Sequence, residues 1–287
     1  MRRYKAIVEY PDADIRFRLA RRHAEREALL HRAQQTLGTD DRFAAAWLFG
    51  SLGRGDGDAL SDIDLFTVAR DEHIAAFAAN RQGWAHQIGT PLFTVENPVN
   101  APPGGAYLMA WYPGADGPHA VDWYVQAQAR ALIPAQTRLL FDRVGLPRSS
   151  DPPRFGYGAE PTRSAVESAT ADLLSTWAML LITAKYVARN PAETRMGLLQ
   201  WTIPTLRSLE GFVGAEVSLA YDALPDHLGP AEKLALLRAL AARTESLMPA
   251  AAANGVPVPA GIAAAARRYL DFVEAIIVSG EGLGGEA

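Results

Sequence analysis

Apolar residues recur every three or four positions through residues 16–37. Leu19, Leu29, Leu30, Ala33 and Leu37 share one stripe, and Gly38 follows as a stop. The spacing predicts an amphipathic helix, and the dense charges of residues 16–32 read as its solvated face. The period then changes. Residues 43–49 form a continuous apolar run ending at Gly50, which predicts a buried strand, and residues 63–68 are a second strand candidate. Residues 71–80 read as a helix. Three more strand-like runs follow at 91–95, 106–112 and 119–125. The last two flank Pro113-Gly114-Ala115-Asp116-Gly117, a turn signal that makes them a hairpin.

Residues 145–161 break this texture with Pro147, Pro152, Pro153, Gly156, Gly158 and Pro161, and read as a linker. Ser164 and Glu167 then have capping-box spacing. Val166, Ala169, Leu173, Trp177, Leu180, Ala184 and Val187 keep a helical period until Asn190-Pro191 ends it. Residues 193–212, 231–250 and 260–279 read as further helices, and the Gly- and Glu-rich tail from Ser279 as frayed. One helix cannot bury its own stripe, so these helices imply a bundle. The expected fold is α+β: a domain over 1–144 with a mixed sheet flanked by helices, a linker over 145–161, and an all-α helical bundle over 162–287.

The 287 residues suggest two domains at roughly 150 residues each. Net charge is −4, which disfavours a long nucleic acid as partner. The chain has no cysteine, which removes disulfides and thiolate chemistry. Its six histidines show no metal-ligand spacing. The basic start, Met1 to Lys5, leads into no apolar core, so no secretory signal is read. The longest uncharged apolar stretch, 173–184, is too short to span a bilayer. The expectation is a cytoplasmic protein that engages no membrane.

Chemistry concentrates in residues 48–66, LFGSLGRGDGDALSDIDLF. A strand ends at Gly50-Ser51 and opens a Gly-rich loop, which can offer N–H groups and a hydroxyl to phosphate oxygens. Asp62 and Asp64 sit on the next strand, on one face because side chains alternate. Two such carboxylates repel unless a cation lies between them, and Mg²⁺ prefers carboxylate and phosphate oxygens. Asp122, between Val121 and Trp123, is either solvent-facing or functional. If its strand neighbours the first acids, three carboxylates converge and two ions can be held.

Gly50-Ser51, then Asp62-Ile63-Asp64, then an acid among apolar residues at Asp122 closely resembles the DNA-polymerase-β-like nucleotidyltransferase superfamily. With a helical second half, the chain looks like the antibiotic-modifying enzymes that act on aminoglycosides and lincosamides. The resemblance implies that Gly50, Ser51 and Arg54 bind nucleotide and that Asp62, Asp64 and Asp122 bind two Mg²⁺ ions. It also implies that Asp122 serves as catalytic base, and that ATP or another nucleoside triphosphate donates a nucleoside monophosphate to a hydroxyl of a small molecule. Leu52-Gly53 departs from the polar or small pair common in the family.

Other residues keep two readings. Glu96, at a strand end, is an alternative base or a solvated acid. Lys185, with Arg189 one turn later, either reaches the distal phosphates or complements a helix C-terminus. Tyr186 and Trp177 read as core. Two rival functions remain: modification of a protein hydroxyl, as in antitoxin nucleotidyltransferases, and non-catalytic nucleotide sensing.

Overall fold

The computed structural model describes residues 12–156, 158, 161–194, 196–217 and 227–280. The basic N-terminus and, from residue 281, the tail lie outside them. The first half runs α1 (Asp12–Thr39), β1 (Phe43–Leu48), α2 (Gly50–Arg54), β2 (Ile63–Ala69), α3 (Ile74–Ala79), α4 (Arg81–Gln87), β3 (Phe93–Val95), β4 (Ala106–Tyr112), β5 (His119–Ala127) and β6 (Arg138–Asp142). The second half is α5 (Ala165–Arg189), α6 (Leu199–Phe212), α7 (Pro230–Ala253) and α8 (Ile262–Ser279). The α+β reading therefore holds: a mixed six-stranded sheet with helices precedes four helices that pack together.

The sheet order is β3-β4-β5-β2-β1-β6. Only β2 and β5 run parallel; every other neighbouring pair is antiparallel. The parallel register sets Asp64 beside Asp122 and Phe66 beside Tyr124, so these four share a face. On the opposite face Leu65, Val121 and Trp123 are buried under Leu29, Leu30 and Leu37 of α1 and Phe77 and Trp84 of α3 and α4. The face with the acids is covered from two sides. Phe93, Trp111 and Ala120 join the core of α5–α8, while Trp47, Phe66 and Tyr124 pack beneath Ala131 and Ile133. Asp62, Asp64 and Asp122 lie where those two covers meet.

Several elements differ from the sequence reading. The segment 50–55 contains the short helix α2 rather than a pure loop, and residues 71–80 begin as a 3-10 turn, Asp71–His73, before α3. Neither α4 nor β6 was expected. Within the segment read as a linker, Phe155 packs against Phe49 and Tyr124 at ring-centroid distances of 5.7 and 4.9 Å. Ser164 and Glu167 do form a capping box at the start of α5. By length and composition α5 is long and apolar enough to cross a membrane, which the shorter 173–184 stretch did not suggest. Its Leu173, Trp177, Leu180, Leu181 and Ala184 are instead buried in the core that the helices share.

The charged face of α1 is not uniformly solvated. Arg22 and Arg26 are 4% and 2% exposed. Arg22 donates to the carbonyls of Gly117 (3.0 Å) and Pro118 (2.7 Å) and lies 4.8 Å from the Tyr269 ring centroid. Arg18 and Arg21 bind the Asp116 carboxylate at 2.8 and 2.6 Å. Gly117 has φ +97°, and a β-carbon there would overlap Tyr269. The tip of the β4–β5 hairpin is thus clamped between α1 and α8. These arginines pair with groups about a hundred positions away, which charge density alone does not reveal.

His119 belongs to the same clamp and contacts Glu25 at 2.9 Å. Burial, helped by the Arg22 charge, pushes its pKa down to about 4 from the ordinary 6.5, against the opposing Glu25 bond. Below pH 6.5 the unfolded chain takes up a proton that the folded one refuses until about pH 4. Stability from this group is therefore full above pH 6.5 and drains away as pH falls. The loss should total about 3 kcal/mol. Unfolding of the wild type and His119→Gln, followed from pH 8 to pH 4, should diverge across that window. Parallel curves would show that His119 titrates normally.

Candidate active site

After β1 the chain passes Phe49, whose N–H donates to the Asp64 carbonyl at 3.1 Å, and turns at Gly50 with φ +63°. A β-carbon at Gly50 would overlap Asp64 Oδ2. The position therefore requires glycine twice, for its backbone angle and for the carboxylate against it. Gly50→Ala should cost about 1–2 kcal/mol for the left-handed conformation and should also displace Asp64. Urea unfolding combined with a turnover assay checks this, and a stable, fully active variant would contradict the packing.

Asp64 and Asp122 stand abreast on β2 and β5. Burial is the largest influence on each and raises both carboxyl pKa values. The charges of Asp122 and Asp62 add to the rise at Asp64, and the charge of Asp62 adds to it at Asp122. The Tyr107 hydroxyl opposes this by donating to Asp122 Oδ1. Asp62, one residue before β2, is held differently. Lys185 Nζ reaches across from α5 to its two oxygens at 2.6 and 2.5 Å. Lys185 is only 6% exposed. Burial would lower its pKa, but Asp62 outweighs it and the net direction is up, so the lysine stays charged. With Asp62 turned to Lys185, no three carboxylate or imidazole groups are arranged around one point among the described residues.

Ser51 lies in α2, and its hydroxyl donates to Ser61 Oγ at 3.0 Å. Arg54 is not brought to the acids by any hydrogen bond; it donates to Asp56 at 3.0 Å on the surface. Glu96 is also elsewhere. It is paired with Arg81 and Gln82 beyond the end of β3, two strands from β5. There it lines a groove of about 480 Å³ with Thr94, Arg163, Val166 and Glu167. Trp177 is core as expected, but Tyr186 is not: it is 42% exposed, with Lys185 Nζ 5.2 Å from its ring centroid. Its place on α5 follows the polar edge that carries Lys185 and Arg189.

Sequence reasoning missed Tyr107, Asp58 and Ser61. Tyr107 was within reach of it. The hairpin register that pairs Tyr112 with His119 puts Tyr107 opposite Tyr124, diagonal to Asp122 on the same face.

Two carboxylates abreast, Asp122 buried and Asp64 half-buried, with no cationic side chain hydrogen-bonded to either, form a hard-oxygen donor set that suits a divalent ion. A turn that brings Gly50 against one of them adds a hydroxyl, Ser51, within the same short segment. The sequence profile of the nucleotidyltransferase domain family matches residues 33–89. That match includes Gly50, Ser51, Asp62 and Asp64 and stops before Asp122 and Lys185. No curated protein matches the chain.

Proposed function

We propose that the protein is an enzyme that transfers a nucleoside monophosphate, AMP from ATP being the first candidate, to a hydroxyl of a small molecule such as an aminoglycoside or lincosamide. The observation that carries this reading is the pair Asp64 and Asp122, half-buried and buried side by side next to the Gly50 turn. Both are costly to keep charged away from water, a cost that a bound cation would offset.

In the proposed reaction the acceptor oxygen attacks the α-phosphorus. The bond from that phosphorus to the bridging oxygen breaks, and pyrophosphate leaves with the electron pair. The acceptor's proton passes to Asp122, which fits general-base chemistry because its raised pKa brings proton affinity closer to neutrality. Ser51 and Lys185 hold the triphosphate. Asp64 and Asp122 would hold Mg²⁺, joined by Asp62 once Lys185 turns from it to the triphosphate, and the ion would supply neutralisation of charge on the phosphates and a better leaving group.

Pyrophosphate release from ATP and Mg²⁺ tests the proposal against a panel of aminoglycosides and lincosamides. Release with one acceptor class is the expected outcome. ATP binding without release for any acceptor would favour a nucleotide sensor, and no ATP binding would overturn the reading.

A further inference from the structure

Ser61 Oγ is the centre of a hydrogen-bond cluster that ties the Ser51 hydroxyl to the helical half. It receives the Asp58 backbone N–H at 2.9 Å, Arg189 Nη2 at 3.1 Å and the Ser51 hydroxyl at 3.0 Å. It donates to Asp58 Oδ1 at 3.1 Å. Arg189, on α5, also forks the Asp58 carboxylate at 2.7 and 2.8 Å, across 131 positions of chain. Behind the loop, Arg26 of α1 donates to the Asp58 carbonyl.

A hydroxyl has one proton to give and two lone pairs with which to accept. Ser61 therefore cannot satisfy all three incoming donors at once. Two of them are fixed: the Asp58 N–H by the backbone turn, and the Arg189 N–H by the guanidinium fork on Asp58. Ser51 is the donor in excess. Its proton is parked against Ser61 and can turn to another acceptor without leaving a buried group unpaired. The side chains of Asp58 and Arg189 are 18% and 26% exposed, so the pair is partly shielded from water.

We propose that Asp58, Ser61 and Arg189 are positioning residues that hold the Ser51 hydroxyl ready to donate to a distal phosphate oxygen, so that α5 completes the triphosphate site through Arg189. Arg189 acts through Ser61 and touches no substrate. The inference rests on the nucleotidyltransferase reading above. It differs from a bland role for Arg189, that of a domain-docking ion pair, in predicting coupling to Ser51.

The test uses the full chain and measures affinity for ATP and for AMP in the presence of Mg²⁺, with thermal unfolding in parallel. Arg189→Ala and the milder Ser61→Ala should each weaken ATP binding about tenfold, the scale of one hydrogen bond to a charged group, and leave AMP binding within about twofold. Because both act through Ser51, Ser51→Ala combined with Ser61→Ala should be no weaker than the worse single variant. Arg189→Lys, which keeps the charge but not the fork, should restore the melting temperature more fully than ATP affinity. A fall in melting temperature with an unchanged ATP-to-AMP ratio would overturn the proposal and leave docking as the role of Arg189. Multiplying losses in the double variant would overturn it too. If the unaltered chain binds no ATP, the nucleotidyltransferase reading falls first and the inference with it; a wild type that binds ATP isolates the failure to the Arg189 chain.

Discussion

Asp64→Asn is expected to abolish transfer and to make the metal-free protein more stable. The two effects share one cause. Asp64 is half-buried beside Asp122, whose charge adds to the cost of ionising it. A carboxyl whose folded pKa lies above its ordinary value binds a proton more readily folded than unfolded. Its contribution to stability therefore declines as pH climbs from the ordinary carboxylate range through the raised value. At pH 8 the wild type carries that penalty, and the amide does not. Asn keeps nearly the same shape, so the gain should be about 1–3 kcal/mol in the absence of divalent cations, shrinking toward zero near pH 4. Turnover should drop by roughly 10²–10³-fold or more, as expected when a charge-stabilising group at the reacting centre is removed. Mg²⁺ should raise the melting temperature of the wild type and do so far less for Asp64→Asn. A variant that is both less stable and still active would mean that Asp64 serves the fold and not the reaction.

The strands that carry these acids were legible because burial leaves a plain record. The 43–49 run is apolar throughout and the 63–68 run is apolar but for Asp64 and Thr67, and the structure places β1 and β2 within a residue or so of them. The long helical periods of the second half were nearly as plain, down to the Ser164 cap, although the helix read from 193 begins as α6 only at Leu199 after a 3-10 turn at Met196–Leu198. What escaped were elements whose stability comes from elsewhere. β6 is a five-residue edge strand, exposed or half-buried along its length, and is ordered by pairing with β1. α2 is a five-residue helix containing two glycines, which local propensity argues against; its Leu52 is buried in the sheet's core and its turns are closed against Phe49 and Gly55.

Within the candidate site, residue types were easier to read than their partners. Gly50, Ser51, Asp62 and Asp64 lie close in sequence, and alternation alone put the two acids on one face. Asp122 required the additional step that β5 lies beside β2, which the parallel register supplies. Lys185 could be named from its helix but not its partner, since the ion pair spans 123 positions. The same is true of Arg189 and of Arg22. Cationic side chains on a helix look alike in sequence whether they face water or a carboxylate from another layer. Contact between layers decides it, and periodicity is silent on that. Glu96 is the converse case, left open between an alternative base and a solvated acid. A strand-end acid resembled a spare base, but the β3 edge position and Arg81 take it out of reach of the reacting groups.

Asp122 and Tyr107 together give the sharpest test of who accepts the proton. If Asp122 only held a cation, Asp122→Asn would lower activity at every pH and extra Mg²⁺ would restore part of it. As the base, its loss should persist at saturating Mg²⁺ and shrink as pH rises, because alkaline solution supplies more deprotonated acceptor. Tyr107→Phe refines the prediction. The Tyr107 hydroxyl donates to Asp122 and favours its ionised form, pulling the pKa down against burial and the charge of Asp62. Without that bond the carboxyl holds its proton to a higher pH. A base works only when deprotonated, so the acidic limb of the kcat/KM profile should move upward, by about one pH unit for one lost hydrogen bond to a charged group. The plateau at high pH should stay near the wild-type value. Glu96→Gln should be nearly silent throughout, since Arg81 and Gln82 already occupy its oxygens. An unmoved limb in Tyr107→Phe, joined to rescue of Asp122→Asn by Mg²⁺, would reduce Asp122 to a ligand and send the search for the base to the acceptor's own surroundings.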